Sequence, residues 1–186
     1  MLFFLPPLAI GLVAALATGG KLSSLATLRF KYGWLVIGAF VVQILIFSSI
    51  ATALPANGSV IPILHLLSNL ALTVAIALNR RVPGMHFVAL GLLLNFAAIA
   101  ANGGYMPVSG EVLQRAGRFE EIQELQATGH VSKAILMNDS TRLPFLADVF
   151  AVDAPLIKGR VFSAGDVLIS IGAFVLVFKG MRNTDQ

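Results

Sequence analysis

A chain of 186 residues that is 57% hydrophobic and 12% charged carries about half the charge of an ordinary soluble domain, and its apolar residues fall in long runs. The absence of cysteine excludes disulfides, thiolate metal sites and a thiol nucleophile. The net charge of +4 does not point to nucleic acid, because the excess cations sit in short segments at the ends of apolar runs, where membrane topology accounts for them.

The first apolar run covers residues 2–18. No basic residue precedes it, so it lacks the n-region of a secretory signal and reads as an uncleaved helix. Pro6 and Pro7 lie in its first turns, where a missing N–H costs least. The second run, residues 34–54, has Gln43 as its one strongly polar side chain and ends in the turn Pro55-Ala-Asn-Gly58. The third, residues 60–78, is followed by Arg80 and Arg81, and Pro83-Gly84 turns the chain. The fourth, residues 85–101, stops at Asn102-Gly103-Gly104. The fifth, residues 161–178, is followed by Lys179 and Arg182.

The expected fold class is therefore all-α: one integral membrane domain, a polytopic bundle of five transmembrane helices. The segments at 19–33 and 79–84 are purely basic, the C-terminal tail is mostly basic, and the long loop 102–160 is mixed and slightly acidic. The positive-inside rule places the basic segments and the C-terminus in the cytoplasm, and the N-terminus and long loop outside a bacterial cytoplasmic membrane. Within that loop Val112, Ala116, Phe119, Ile122 and Leu125 recur at helical spacing among charged residues. They predict an extracytoplasmic amphipathic helix over residues 111–127, lying on the membrane or capping the bundle.

At ~1.5 Å per residue, His65 lies ~7 Å below the outer surface, Asn69 ~13 Å, Asn95 ~9 Å and Asp166 ~7 Å. Polar side chains thus gather in the outer half of the membrane, which disfavours a carrier, since no inner half completes a path. His65, Asn69 and Thr73 share a helix face, as do Asn95 and Asn102. For His65 and Asn69 the plain alternative is hydrogen bonding between helices. No spacing indicates a metal site, and no cofactor is implied.

A carboxylate in hydrocarbon costs ~2.5–3.5 kcal/mol when unpaired, so Asp166 marks a functional candidate. Asp148, in the apolar piece Phe145-Leu-Ala-Asp-Val-Phe150, is the natural partner. Two carboxyls sharing a proton split into an acid and a base and can activate water. The plainer alternative has Asp166 capping the fifth helix and Asp148 solvated.

These residues resemble signal peptidase II, the lipoprotein signal peptidase. That family has Asn-x-x-Asp-Arg-Leu, then its first catalytic aspartate, then Phe-Asn-x-Ala-Asp opening the last helix. Here Asn138, Arg142 and Leu143 stand in the frame of the first motif, and Phe162-Ser-Ala-Gly-Asp166 in that of the second. Thr141 stands for the motif's aspartate and Ser163 for its asparagine. The resemblance implies a catalytic dyad of Asp148 and Asp166, with Asn138 and Arg142 as supporting polar groups; the polar residues in and beside the outer half of the membrane, His65, Asn69, Asn95 and Asn102, are the further supporting candidates. Asn102-Gly-Gly-Tyr-Met-Pro107 followed by a late Gly-Asp is also similar to a family of five-span bacterial membrane proteins of unknown function. The expected function is an intramembrane aspartyl hydrolase acting on a membrane-anchored peptide or lipoprotein. The alternative is a non-catalytic structural or accessory subunit of a larger membrane complex. The expected partners are the lipid bilayer and such a substrate or other membrane subunits.

Overall fold

The computed structural model describes residues 5–46, 60–152 and 159–182. The turn Pro55-Ala-Asn-Gly58 and the end of the second run lie outside the described residues. The chain is predominantly helical. Five apolar helices occupy the five runs: α1 (Leu5–Ala17), α2 (Gly33–Ile46), α3 (Val60–Ala77), α4 (Met85–Ala101) and, last in the chain, α7 (Ala164–Arg182). Of these, α3 and α7 are long and apolar enough to cross a membrane; the described parts of the other three are shorter.

The helices pack in the spatial order α1, α7, α4, α3, α2. The α4–α7 contact is built on glycine. A methyl group at Gly91 would collide with the Gly165 carbonyl oxygen, and one at Gly172 would stand 2.7 Å from the Gly84 carbonyl oxygen. The two pairs are each seven residues apart and run in opposite senses, so the helices are antiparallel and their backbones nearly touch. Gly84 also has φ +81°, a left-handed conformation that starts α4.

The packing inverts the usual distribution of polarity. Ile10, Val13, Ile37, Ile44, Ile63 and Leu67 are exposed, whereas His65, Ser68, Asn69, Thr73, Asn79 and Ser170 are buried. Asn79 ties the end of α3 to the segment before α2: its amide accepts from Lys31 N at 2.7 Å and donates to Lys31 O at 2.9 Å.

Between α4 and α7 the chain forms a small mixed cap rather than a loop with one helix. Strand β1 (Met106–Val108) pairs in parallel with β2 (Ala134–Leu136), and β3 (Phe150–Val152) pairs antiparallel with β4 (Arg160–Phe162). A parallel bridge from Val108 to Asp148 links the two sheets. The all-α expectation thus needs correcting in the cap, where the described residues include four three-residue strands.

The expected helix over 111–127 is two helices, α5 (Gly110–Arg115) and α6 (Phe119–Thr128). Gly117, at φ +68°, breaks them apart, with Gly117 N donating to Gln114 O and Arg118 N to Leu113 O, both at 2.9 Å. Both helices still turn an apolar face inward: Leu113 and Leu125 are buried with Val108 in the cap's own core.

Candidate functional site

Asp166 lies in the first turn of α7, because that helix begins at Ala164 and not at Val161. Residues 160–162 are drawn into β4 by pairing with β3, and Ser163 caps the helix. Asp166 N donates to Ser163 Oγ at 3.1 Å, and Ser163 N donates to Asp166 Oδ2 at 3.1 Å. This is a capping box with aspartate in place of the usual glutamate. Asn95, on α4, completes it: its Nδ2 donates to Asp166 Oδ1 at 2.9 Å, and its Oδ1 accepts from Ser163 Oγ at 2.8 Å. Both oxygens of Asp166 are therefore engaged, and Ser163 is fully buried beneath them.

Asp148 is held by its backbone. Its N–H donates to Pro107 O at 2.9 Å, and its carbonyl accepts from Ser109 N at 3.1 Å. The side-chain Oδ1 is closed to solvent and, among the described residues, has no hydrogen-bond partner. Burial first, and then the negative charge of Asp166, push the Asp148 carboxyl up to about 7; Lys133 and Arg118 pull against that shift. The two carboxyls are thus near enough to influence each other, yet among the described residues no hydrogen bond joins them.

A cavity of about 660 Å³ opens in the cap with Asp148 in its wall. Arg118, Lys133 and Arg160 supply cations to it, and α6 supplies Glu120, Glu121 and Glu124. Arg118 and Glu121 form an ion pair at 2.5 Å.

The remaining candidates separate into two groups. His65, on α3, lies with Nδ1 2.7 Å from the Gly104 carbonyl oxygen, so that nitrogen carries the proton in this contact. Asn69 donates to His65 O at 2.8 Å and Thr73 to Asn69 O at 2.8 Å, so these bonds run within α3 and not to a neighbouring helix. Asn102 reads the backbone of Arg142 in both directions: its Nδ2 donates to Arg142 O at 2.8 Å and its Oδ1 accepts from Arg142 N at 3.0 Å. Asn138 Oδ1 accepts from Ser140 N and Oγ in a local turn. Of the supporting residues, Asn95 hydrogen-bonds to an aspartate side chain, that of Asp166. The hydrogen bonds of Asn138 and of the Arg142 backbone shape a loop.

Residues 27–178 match a protein-family model described as a family of unknown function. The chain belongs to that family, DUF5317. It is also similar to an uncharacterized protein of Thermotoga maritima, at 31% identity over 97 residues that make up 52% of each chain. The chain thus spans about half the length of that relative. No solved structure matches.

The DUF5317 match contains both aspartates, Asn95 and Ser163. The role of Ser163 is written in the sequence as Ser-x-x-Asp ahead of an apolar run, which is a helix-start pattern. Arg118, Lys133 and Arg160 carry no such local signal. They are dispersed over 43 positions, 160 − 118 + 1, and only the strand pairing of the cap gathers them.

Proposed function

We propose that this DUF5317 protein is a five-span integral membrane protein of the bacterial cytoplasmic membrane and serves as a non-catalytic accessory subunit. In this reading the cap and the N-terminus lie outside and the C-terminus lies in the cytoplasm. Support for membrane burial comes from the exposed aliphatic side chains on α1, α2 and α3 around a polar interior. Support for orientation comes from Lys21, Arg29, Lys31, Arg80, Arg81, Lys179 and Arg182, which all fall at one end of the helices.

The observation that carries the non-catalytic reading is the engagement of both Asp166 oxygens by Asn95 and Ser163. Each oxygen already accepts a hydrogen bond from this ring, which lowers its basicity toward a water that it would have to deprotonate. Here the carboxylate serves helix α7. The rival reading, a hydrolase similar to signal peptidase II, draws support from the upward push of the Asp166 charge on Asp148.

A lipobox-peptide processing assay separates the two. The accessory reading expects no processing by the folded protein, and equal co-purification of membrane partners by wild type, Asp148→Asn and Asp166→Asn. Processing that both substitutions abolish would establish the hydrolase. Because the chain has no cysteine, single introduced cysteines can map its topology without background. A cysteine at Ser140 is expected to react with an impermeant maleimide from outside, and one at Arg81 only after permeabilisation.

A further inference from the structure

The cap combines three features that a merely structural domain does not require. Its pocket is large enough for a small ligand, at about 660 Å³. Two of its cations, Lys133 and Arg160, have no carboxylate within ion-pair distance among the described residues, whereas Arg118 is paired with Glu121. Asp148 lines the same pocket, and its Oδ1 meets no donor among the described residues. An unmet buried acceptor is costly, and a ligand bearing an O–H or N–H would satisfy it.

A fourth feature says where the ligand comes from. In the β3–β4 pair, Val152 stands opposite Arg160 and Phe150 opposite Phe162, so these four residues share one face. Phe150 and Val152 are exposed on that face, and the Phe150 and Phe162 rings stack at 5.6 Å. Phe145, three residues before Asp148, is 67% exposed. Aromatic and aliphatic side chains beside an arginine are the composition of a surface that rests in the headgroup layer of a bilayer.

We propose that the cap pocket binds the headgroup of an outer-leaflet phospholipid that carries hydrogen-bond donors, with its phosphate against Lys133 and Arg160 and its donor against Asp148. This rests on the membrane reading given above. The exposed aromatic face seats the cap on the leaflet, and the pocket then reads the headgroup. Phosphatidylglycerol offers hydroxyls and phosphatidylethanolamine an ammonium. Phosphatidylcholine has the same phosphate and no N–H or O–H to give.

The test uses the full chain purified in mild detergent, mixed with the three lipids on identical acyl chains, and read by native mass spectrometry. Phosphatidylglycerol and phosphatidylethanolamine are expected to bind about tenfold tighter than phosphatidylcholine, the ratio for one hydrogen bond to a charged group. Asp148→Leu and Asp148→Ala should both remove that preference while retaining binding. Lys133→Ala combined with Arg160→Ala should weaken all three lipids. Circular dichroism identifies any variant that fails to fold, and a second substitution at each position keeps the comparison usable. Equal binding of the three lipids by wild type would overturn the proposal. So would glycerol 3-phosphate binding as tightly as phosphatidylglycerol, since the site would then take free phosphates. Resistance of the protein to alkaline extraction from membranes is measured alongside. Its failure would sink the membrane reading itself, whereas resistance without lipid preference would sink only the pocket.

Discussion

Asn95 donates to Asp166 across the α4–α7 contact at 2.9 Å, and its other amide atom accepts from Ser163 at 2.8 Å. One side chain on α4 therefore satisfies both polar groups that start α7. Asn95→Leu keeps the branching and the number of side-chain heavy atoms but removes both bonds and leaves the Ser163 hydroxyl buried without its acceptor. The expected cost is about 2–3 kcal/mol, seen as a lower midpoint for thermal unfolding in detergent. Ser163→Ala removes the cap acceptor and should cost about 1–2 kcal/mol. An Asn95→Leu protein as stable as wild type would show that the ring contributes nothing to holding the helices.

The glycine contacts predict a sharp contrast between positions of the same residue type. Gly91→Ala places a methyl group into the Gly165 carbonyl, and Gly84→Ala adds a left-handed strain to a collision with Gly172. Neither backbone can withdraw without separating α4 from α7. Each change is expected to destabilise by about 3 kcal/mol or more, or to prevent folding. Gly38, on α2, has nothing within 4 Å of where a Cβ would stand. Gly38→Ala should therefore be neutral or stabilise by about 0.5–1 kcal/mol, through helix propensity alone. Parallel unfolding curves for the three variants check the difference.

Asp148 gives the cap a stability that depends on pH. The folded carboxyl keeps its proton up to about 7, while the unfolded chain releases it near 3.8. Between those values the folded state binds more protons, so stability falls as pH rises through the window and levels off above about 7. Asp148→Asn removes the charge that burial and Asp166 disfavour. The variant is expected to lose this slope and to exceed wild type in stability at pH 8, with little difference at pH 4. Hydrogen exchange of cap amides at the two pH values measures it. A wild-type cap more stable at pH 8 than at pH 4 would mean that Lys133 and Arg118 outweigh the burial of Asp148.

The apolar helices are legible in the sequence because each rests on a predominantly hydrophobic run, which local composition alone reveals. The left-handed Gly117 that splits 111–127 is a single residue within a strong helical period, so the period masks it. The strands of the cap are three residues long, too short for an alternation to register. Their pairing is decided by contacts between segments far apart, as with Val108 and Asp148. The start of α7 moves for the same reason: Val161 is apolar enough for a helix, but β3 is there to pair with it. Asp166 was visible as a carboxylate entering an apolar run. Its engagement with Asn95, 71 positions earlier, depends on how closely the glycines let α4 and α7 approach.

Asn102 is the residue through which the end of α4 holds the loop before Asp148. Its side chain makes three bonds, to Ala98 O and, in both directions, to the Arg142 backbone. The next residue, Leu143, sits at φ +51°, which a leucine adopts only at a cost and just ahead of a proline. The Asn102 bonds offset that cost; without them the segment gains by relaxing. Asn102→Ala is therefore expected to free the loop locally while α4, already stopped by the left-handed Gly103 and Gly104, remains intact. Trypsin reports the change at Arg142, which is exposed on the surface. Loss of two tethering bonds should raise the native-state cleavage rate there by about tenfold or more. Leu143→Gly in the same background removes the strain and should bring the rate back down. A cleavage rate unchanged by Asn102→Ala would show that the 3-10 turn at Pro144–Leu146, and not Asn102, fixes this loop.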